Sequence, residues 1–212
     1  MNFFDLATTG STPWKNGGGS TQELACWPPG ADMNRFEWRV SLATVDRSGP
    51  FSVFPGIDRQ IMLLGGDGLH LRGPAWEHRL EPRWQPFAFS GDDAVDGAML
   101  GGTSKDFNLM LRRGAWRGAM RIVADAQAPE TAEAGLAMVL QGEWLWSVPG
   151  AVPQRLRAGQ GLWWAGQGDA TRGQLVPADT STPTAACAAV WIALERCESQ
   201  NNESKTPSAR DG

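Results

Sequence analysis

A scattered set of residues in the first half of the chain has the types that hold a small anion. Trp14, Lys15, Asn16 and Glu23 lie in the stretch TPWKNGGGSTQE, residues 12–23. Arg39 and Ser41 alternate along a strand-like segment, and Asp58 and Arg59 close an aromatic run, FSVFPGIDR. Asp106, Asn108 and Arg112 follow in DFNLMLR. Guanidinium forks match carboxylates through parallel hydrogen bonds. Amides add neutral donors and acceptors, and aromatic walls give the apolar lining that small-molecule pockets need. Taken singly, each residue also has a plain solvated or structural reading. Taken together, they are cations, amides and aromatics on separate strands that can converge at a barrel mouth.

Other chemistries find little support. A transition-metal site of N/O ligands needs histidines spaced along and between strands. The chain has two histidines, His70 and His78, without that spacing and in a strand end and a loop, so no metal or other cofactor is expected. No G-x-S-x-G elbow or phosphate loop is present, and Lys15 precedes the glycines instead of following them. Cys26, beside Trp27-Pro28-Pro29 and far from any histidine, reads as a packed, inert thiol. A metal-independent isomerase or epimerase, with Lys15, Glu23 or Asp106 as acid or base, stays open beside simple binding, as does a protein–protein regulator with a vestigial pocket. Gly17, Gly18 and Gly19 pose their own question. Such a run serves either a tight turn or the close approach of backbone to a ligand.

The chain has 212 residues, a net charge of −4 and a pI near 5.2. That length suits one large domain or two small ones. An acidic balance argues against a nucleic-acid partner, and no polybasic stretch suits a membrane surface. Three widely spaced cysteines give neither zinc spacing nor an even disulfide count, which fits reduced thiols in a cytoplasmic protein. The N-terminus lacks the features of a signal peptide, and no apolar run is long enough to span a bilayer.

The elements that must position these residues read as strands. In RFEWRVSLATV, residues 35–45, Phe36, Trp38, Val40 and Leu42 fall on one face and Arg35, Glu37, Arg39 and Ser41 on the other. Such alternation predicts a strand with one buried face. Further strands are expected at 60–64, 68–72, 86–90, 107–112, 119–124, 136–141, 143–148, 161–165 and 185–195, with one short helix over 129–136. The polar tail, 198–212, is expected to be disordered. An internal echo runs through this pattern at a constant offset of 76 residues. MLLGGDGLHL from Met62 matches MVLQGEWLWS from Met138, pairing Gly66 with Gly142 and Asp67 with Glu143. At the same offset FAFSGDD (87–93) meets WWAGQGD (163–169). The echo predicts a duplicated β unit. Its hairpin form is similar to a cupin half-barrel, so the expected fold is an all-β bicupin of two barrel or jelly-roll halves. The first half, 1–120, carries the pocket, and the second spans 121–197.

The segments 12–23, 38–59 (WRVSLATVDRSGPFSVFPGIDR), 63–71 (LLGGDGLHL), 87–92 and 106–114 resemble the HutD/Ves family of bacterial bicupins. That resemblance implies a modulator of histidine utilisation that senses a small anionic carboxylate such as N-formylglutamate or urocanate, with no established catalysis and no metal. It also implies that the opening stretch, the PGIDR turn and the DFN strand border one pocket, with the glycines letting backbone pass close to it. The second half lacks clear counterparts of Arg39, Arg59 and Asn108, so one site per chain is expected.

Overall fold

The computed structural model describes residues 1–129, 132–166, 173–178 and 187–198. From residue 199 on, the expected disordered tail lies outside the described residues. In chain order the strands are β1 (Asn2–Asp5), β2 (Ser11–Pro13), β3 (Gly19–Trp27), β4 (Trp38–Val45), β5 (Gly49–Pro50) and β6 (Ile57–Gly65). There follow β7 (Leu69–Arg72), β8 (Glu77–Leu80), β9 (Phe87–Ser90), β10 (Asp96–Met99), β11 (Ser104–Arg112) and β12 (Trp116–Val123). The last are β13 (Ala134–Gln141), β14 (Glu143–Ser147), β15 (Gln154–Arg157), β16 (Gln160–Ala165), β17 (Gln174–Pro177) and β18 (Ala188–Arg196). Every strand expected from the sequence is present, with small shifts at the ends; residues 185–186 lie outside the described residues. The short β1, β2, β5, β8, β10, β15 and β17, and the longer β3, carry too little alternation to be read in advance.

The helix expected over 129–136 does not form where that segment is described. Ala134, Gly135 and Leu136 open β13 instead. Alanine and glutamate favour helix locally. Here Ala134, Leu136 and Met138 pack into one apolar cluster while Ala137 and Val139 pack into another, so a central strand buried on both faces overrides propensity.

The internal echo is a repeat of strand order. The sheets run β2-β3-β4-β11-β6-β9 and β5-β10-β7-β8 in the first half, and β1-β16-β13-β18-β12 and β15-β14-β17 in the second. β6 lies between β9 and β11, and β7 between β8 and β10; β13 likewise lies between β16 and β18, and β14 between β15 and β17. Gly66 and Gly142 turn the matching corners at φ of 90° and 78°. In each half the two sheets pack face to face, but no ladder joins them among the described residues. Of the expected barrel or jelly-roll halves, the structure thus has the open form, two sheets facing each other as a sandwich. In the first half the edge strands β2, β5, β8 and β9 have only three, two, four and four residues, too short to bridge from one sheet to the other.

The two large sheets stack back to back. Trp38, Val40 and Leu109 from one meet Leu136, Val190 and Ile192 from the other. The expected apolar face of β4 is thus confirmed. Its polar face is buried as well: Arg39 is 8% exposed and Ser41 3%. Within the second sandwich Trp144, Trp146, Trp164 and Trp191 fill the interior. The first sandwich has an aliphatic core at one end, with Ile61, Leu63, Leu69 and Leu71, and a cavity at the other.

Candidate functional site

The cavity measures about 690 Å³ and lies on the face of the first large sheet turned away from the inter-half core. Strand alternation builds its floor. Ladder pairing places Arg39, Met110 and Arg59 in one row; Glu23, Ser41, Asn108 and Ile61 in the next; and Thr21, Ala43, Asp106 and Leu63 in the third. The β2–β3 turn (Trp14, Lys15, Asn16) and the segment carrying Phe51, Ser52 and Phe54 wall it.

Two arginines meet at this floor in different states. Arg39 Nε donates to Glu23 Oε2 at 2.7 Å, and its Nη1 donates to Ser41 Oγ at 3.1 Å. Among the described residues Arg59 has no carboxylate partner. Its Nη2 donates to Asn108 Oδ1 at 3.2 Å and its Nη1 to the Ser52 carbonyl at 3.4 Å, while its Nε is buried and unpartnered. The guanidinium lies among three rings, with Cζ 4.8 Å from the centroid of Phe89, 5.5 Å from Phe54 and 5.6 Å from Phe51. Burial, with repulsion from Arg39 added, pushes the Arg59 guanidinium down to about 10. The group stays cationic at neutral pH, and a bound anion would relieve both penalties. Asp106 carries the opposite problem. It is fully buried, neither oxygen has a partner, and desolvation pushes its carboxyl up to about 7.

Nine of the expected site residues line this cavity: Trp14, Lys15, Asn16, Glu23, Arg39, Ser41, Arg59, Asp106 and Asn108. Asp58 and Arg112 do not. Asp58 neighbours Arg59 on β6, so its side chain points to the opposite face, where Arg113 Nε donates to it at 2.9 Å. It cannot orient Arg59; Asn108 and Ser52 do so. Arg112 lies past the end of the floor and donates to the Phe36 and Asn34 carbonyls at 2.9 and 2.8 Å. Met33, Phe51, Ser52 and Phe54 also line the cavity. The aromatic spacing before Arg59 was the available signal for Phe51 and Phe54; nothing in the sequence marked Met33 or Ser52.

The glycines make a turn. Gly17 has φ of 67° and Asn16 Oδ1 accepts from the Gly18 N–H at 2.9 Å. The Gly18 carbonyl accepts from the N–H groups of Asp46 and Arg47 at 2.9 and 3.2 Å. At Gly19 a Cβ would lie 2.1 Å from the Thr44 carbonyl oxygen. None of the three lines the cavity. The close approach is therefore backbone to backbone, contrary to the ligand approach the resemblance implies. Its effect is to set Trp14, Lys15 and Asn16 at the cavity wall, where Trp14 Nε1 donates to Thr21 Oγ1 at 2.8 Å.

In the second half the matching rows read Gly135–Ala193, Ala137–Trp191 and Val139–Ala189 where the first has Arg59–Met110, Ile61–Asn108 and Leu63–Asp106. A Cβ on Gly135 would lie 2.3 Å from the Trp164 ring. Tryptophan occupies the space that is open in the first half. Both histidines lie on strands, His70 on β7 and His78 on β8, which corrects the loop expected for His78. Among the described residues no group of three or more His, Cys, Asp or Glu could hold a metal ion. Burial, and then the Glu23 charge, push the Cys26 thiol up.

Fold and site define an all-β protein of the cupin type with an aromatic-walled cavity around two buried arginines in its N-terminal sandwich. The chain belongs to the HutD family, whose model matches residues 7–181. It is 38% identical over 166 residues to Protein Ves of Cronobacter sakazakii, covering 77% of this chain and 87% of that one. A conserved protein of unknown function from Pseudomonas aeruginosa PAO1 superposes with a TM-score of 0.76 at 29% identity, over 92% of this chain and 98% of the other. HutD from Pseudomonas fluorescens SBW25, in a formate condition, does so at 0.74 and 27%, with the same coverage. At 10% identity, a cupin 2 conserved barrel domain protein from Leptotrichia buccalis shares the fold, with a TM-score of 0.57 over 92% of this chain and 96% of that one.

Proposed function

We propose that this chain binds a small carboxylate in the first-half cavity and acts in the cytoplasm as a ligand-responsive modulator of histidine utilisation. N-formylglutamate and urocanate are the leading ligands. The observation that carries the reading is Arg59, a cation held at 8% exposure without a carboxylate partner and with a buried, unpartnered Nε. A carboxylate docking there gains charge-assisted hydrogen bonds in a desolvated, aromatic-walled setting. The histidine connection rests on family membership.

Thermal unfolding with formate, urocanate and N-formylglutamate tests this. A ligand at about 100 times its dissociation constant should stabilise by about 2.7 kcal/mol, a rise of roughly 5–10 °C for a chain of this size. No shift with any of the three at millimolar concentration ends the proposal.

A second reading, a metal-independent isomerase or epimerase, has one observation in its favour: Asp106 is a buried carboxyl raised to about 7, a property of general bases. Proton NMR of the bound acids in D2O separates the two. Enzyme-dependent loss of a ligand C–H signal supports catalysis, and an unchanged spectrum supports binding alone.

A further inference from the structure

The cavity has two poles, and the second remains without a role in the carboxylate reading on which this inference rests. Donors dominate the wall: Lys15, the two arginines and the amide of Asn108 serve the oxygens of an anion. Among the described residues only two carboxylates line the space, Glu23 and Asp106. Glu23 is committed to Arg39 at 2.7 Å. Asp106 is fully buried, with both oxygens unpartnered. A buried polar group left without a partner is costly, so the cavity presents an unmet acceptor as well as an unmet donor. The two are spaced by the sheet. Arg59 Nη2 reaches Asn108 Oδ1 at 3.2 Å, and Asp106 lies two residues from Asn108 on β11, roughly 7 Å along the strand.

We propose that Asp106 is the specificity-determining acceptor of the cavity, taking a hydrogen bond from an N–H of the ligand whose carboxylate is held by Arg59. The ligand class is therefore a small acid that carries an N–H donor, amide or heteroaromatic, on the order of 5–7 Å from its carboxylate. The carbonyl oxygen of Asp106 accepts in either protonation state. An acid of equal shape without the N–H leaves this acceptor buried and unserved. A site built around a hydrogen bond rejects an analogue that lacks it far more strongly than an apolar pocket rejects a change of size.

Urocanate and 3-(2-furyl)acrylate test this directly, since they share the acrylate and differ in an imidazole N–H against a furan oxygen. By titration calorimetry at pH 7.5 the wild-type protein should bind urocanate at least tenfold more tightly. In Asp106→Leu the two acids should come within about twofold, through loss of urocanate affinity and not gain of furylacrylate affinity. Equal wild-type affinities overturn the inference and leave the carboxylate reading standing. So does a tenfold preference that survives in Asp106→Leu. Binding of neither acid overturns the inference, and the carboxylate reading falls with it only if formate and N-formylglutamate also fail to bind. If Asp106→Leu does not fold, Asp106→Ala replaces it, since it too removes the acceptor, and the two acids should again come within about twofold; an unchanged preference there also overturns the inference.

Discussion

Replacing Asp106 by asparagine isolates the cost of burying one carboxylate. The two side chains have nearly the same shape, and only one titrates. Desolvation raises the Asp106 carboxyl from 3.8 to about 7. The folded state therefore holds this proton more tightly than the unfolded chain. The stability linked to it is complete below pH 3.8 and is lost as pH rises through about 7. One unit of pKa is worth about 1.4 kcal/mol, so a shift of roughly three units costs the wild type about 4 kcal/mol at pH 8. At pH 5 little more than one unit of that has accrued. Lys15, Glu23, Arg39 and Arg59 face the same cavity, and subtracting the two stability curves removes their contribution to first order. Urea unfolding from pH 5 to pH 8, in buffer free of carboxylates, should show Asp106→Asn gaining about 3 kcal/mol on the wild type. In melting temperature that is a relative gain of roughly 6–12 °C. Parallel curves would mean that water or a rearranged partner already solvates the carboxyl, and the reasoning from its burial would be wrong.

Arg59→Met should lower carboxylate affinity about ten- to a hundredfold, the loss of one charge-assisted contact of about 1.5–3 kcal/mol, while the melting temperature of the ligand-free protein holds or rises; an unchanged dissociation constant refutes the assignment. Gly19→Ala should destabilise strongly, because its Cβ would meet the Thr44 carbonyl at 2.1 Å. Gly17→Ala, at φ of 67°, should cost about 1 kcal/mol. Across Gly17→Ala, Gly18→Ala and Gly19→Ala, carboxylate affinity should fall only where melting temperature falls; a variant that keeps its stability and loses affinity would restore a direct ligand role for the turn. Asp92 is held down at about 2 by the Gly56 N–H, Arg113 and Ser90, below its ordinary 3.8. Its stabilisation is present above pH 3.8 and lost as pH falls through about 2. Acid unfolding of Asp92→Asn followed by circular dichroism should therefore run below the wild type at pH 5 and meet it by pH 2, and a constant gap refutes the linkage.

The floor of the cavity was legible because a strand repeats every two residues. Arg39 with Ser41, and Asp106 with Asn108, each share a face by spacing alone, and the clean apolar alternation of Trp38, Val40 and Leu42 fixes which face that is. The same rule, applied strictly, excludes Asp58 beside Arg59, because neighbours on a strand face opposite sides. Arg112 keeps the right parity, but the floor ends before it, and spacing does not reveal where a cavity stops. Burial on the second face of β4 was hidden because it depends on the small sheet folding over it. Phe51 and Phe54 come from a segment whose course is set by packing around Arg59, so only their types hinted at a role. The echo, by contrast, carried over into strand order, because the Gly66 and Gly142 turns impose the same backbone corner in both halves.

The first strand has a consequence for how the molecule comes into being. β1 pairs with β16, Phe4 against Gly161, and the Asp5 carboxylate accepts from Gln160 Nε2, 155 residues away. A ribosome delivers β1 long before β16. β1 thus waits, unpaired, until β16 has been made, while β2 to β11 already have every neighbour they need. Contacts so distant in sequence are slow to form, and a domain boundary drawn in the middle of the chain does not match the order of assembly. β1 works as a late clasp, joining the edge of the second large sheet only after the first sandwich has taken shape.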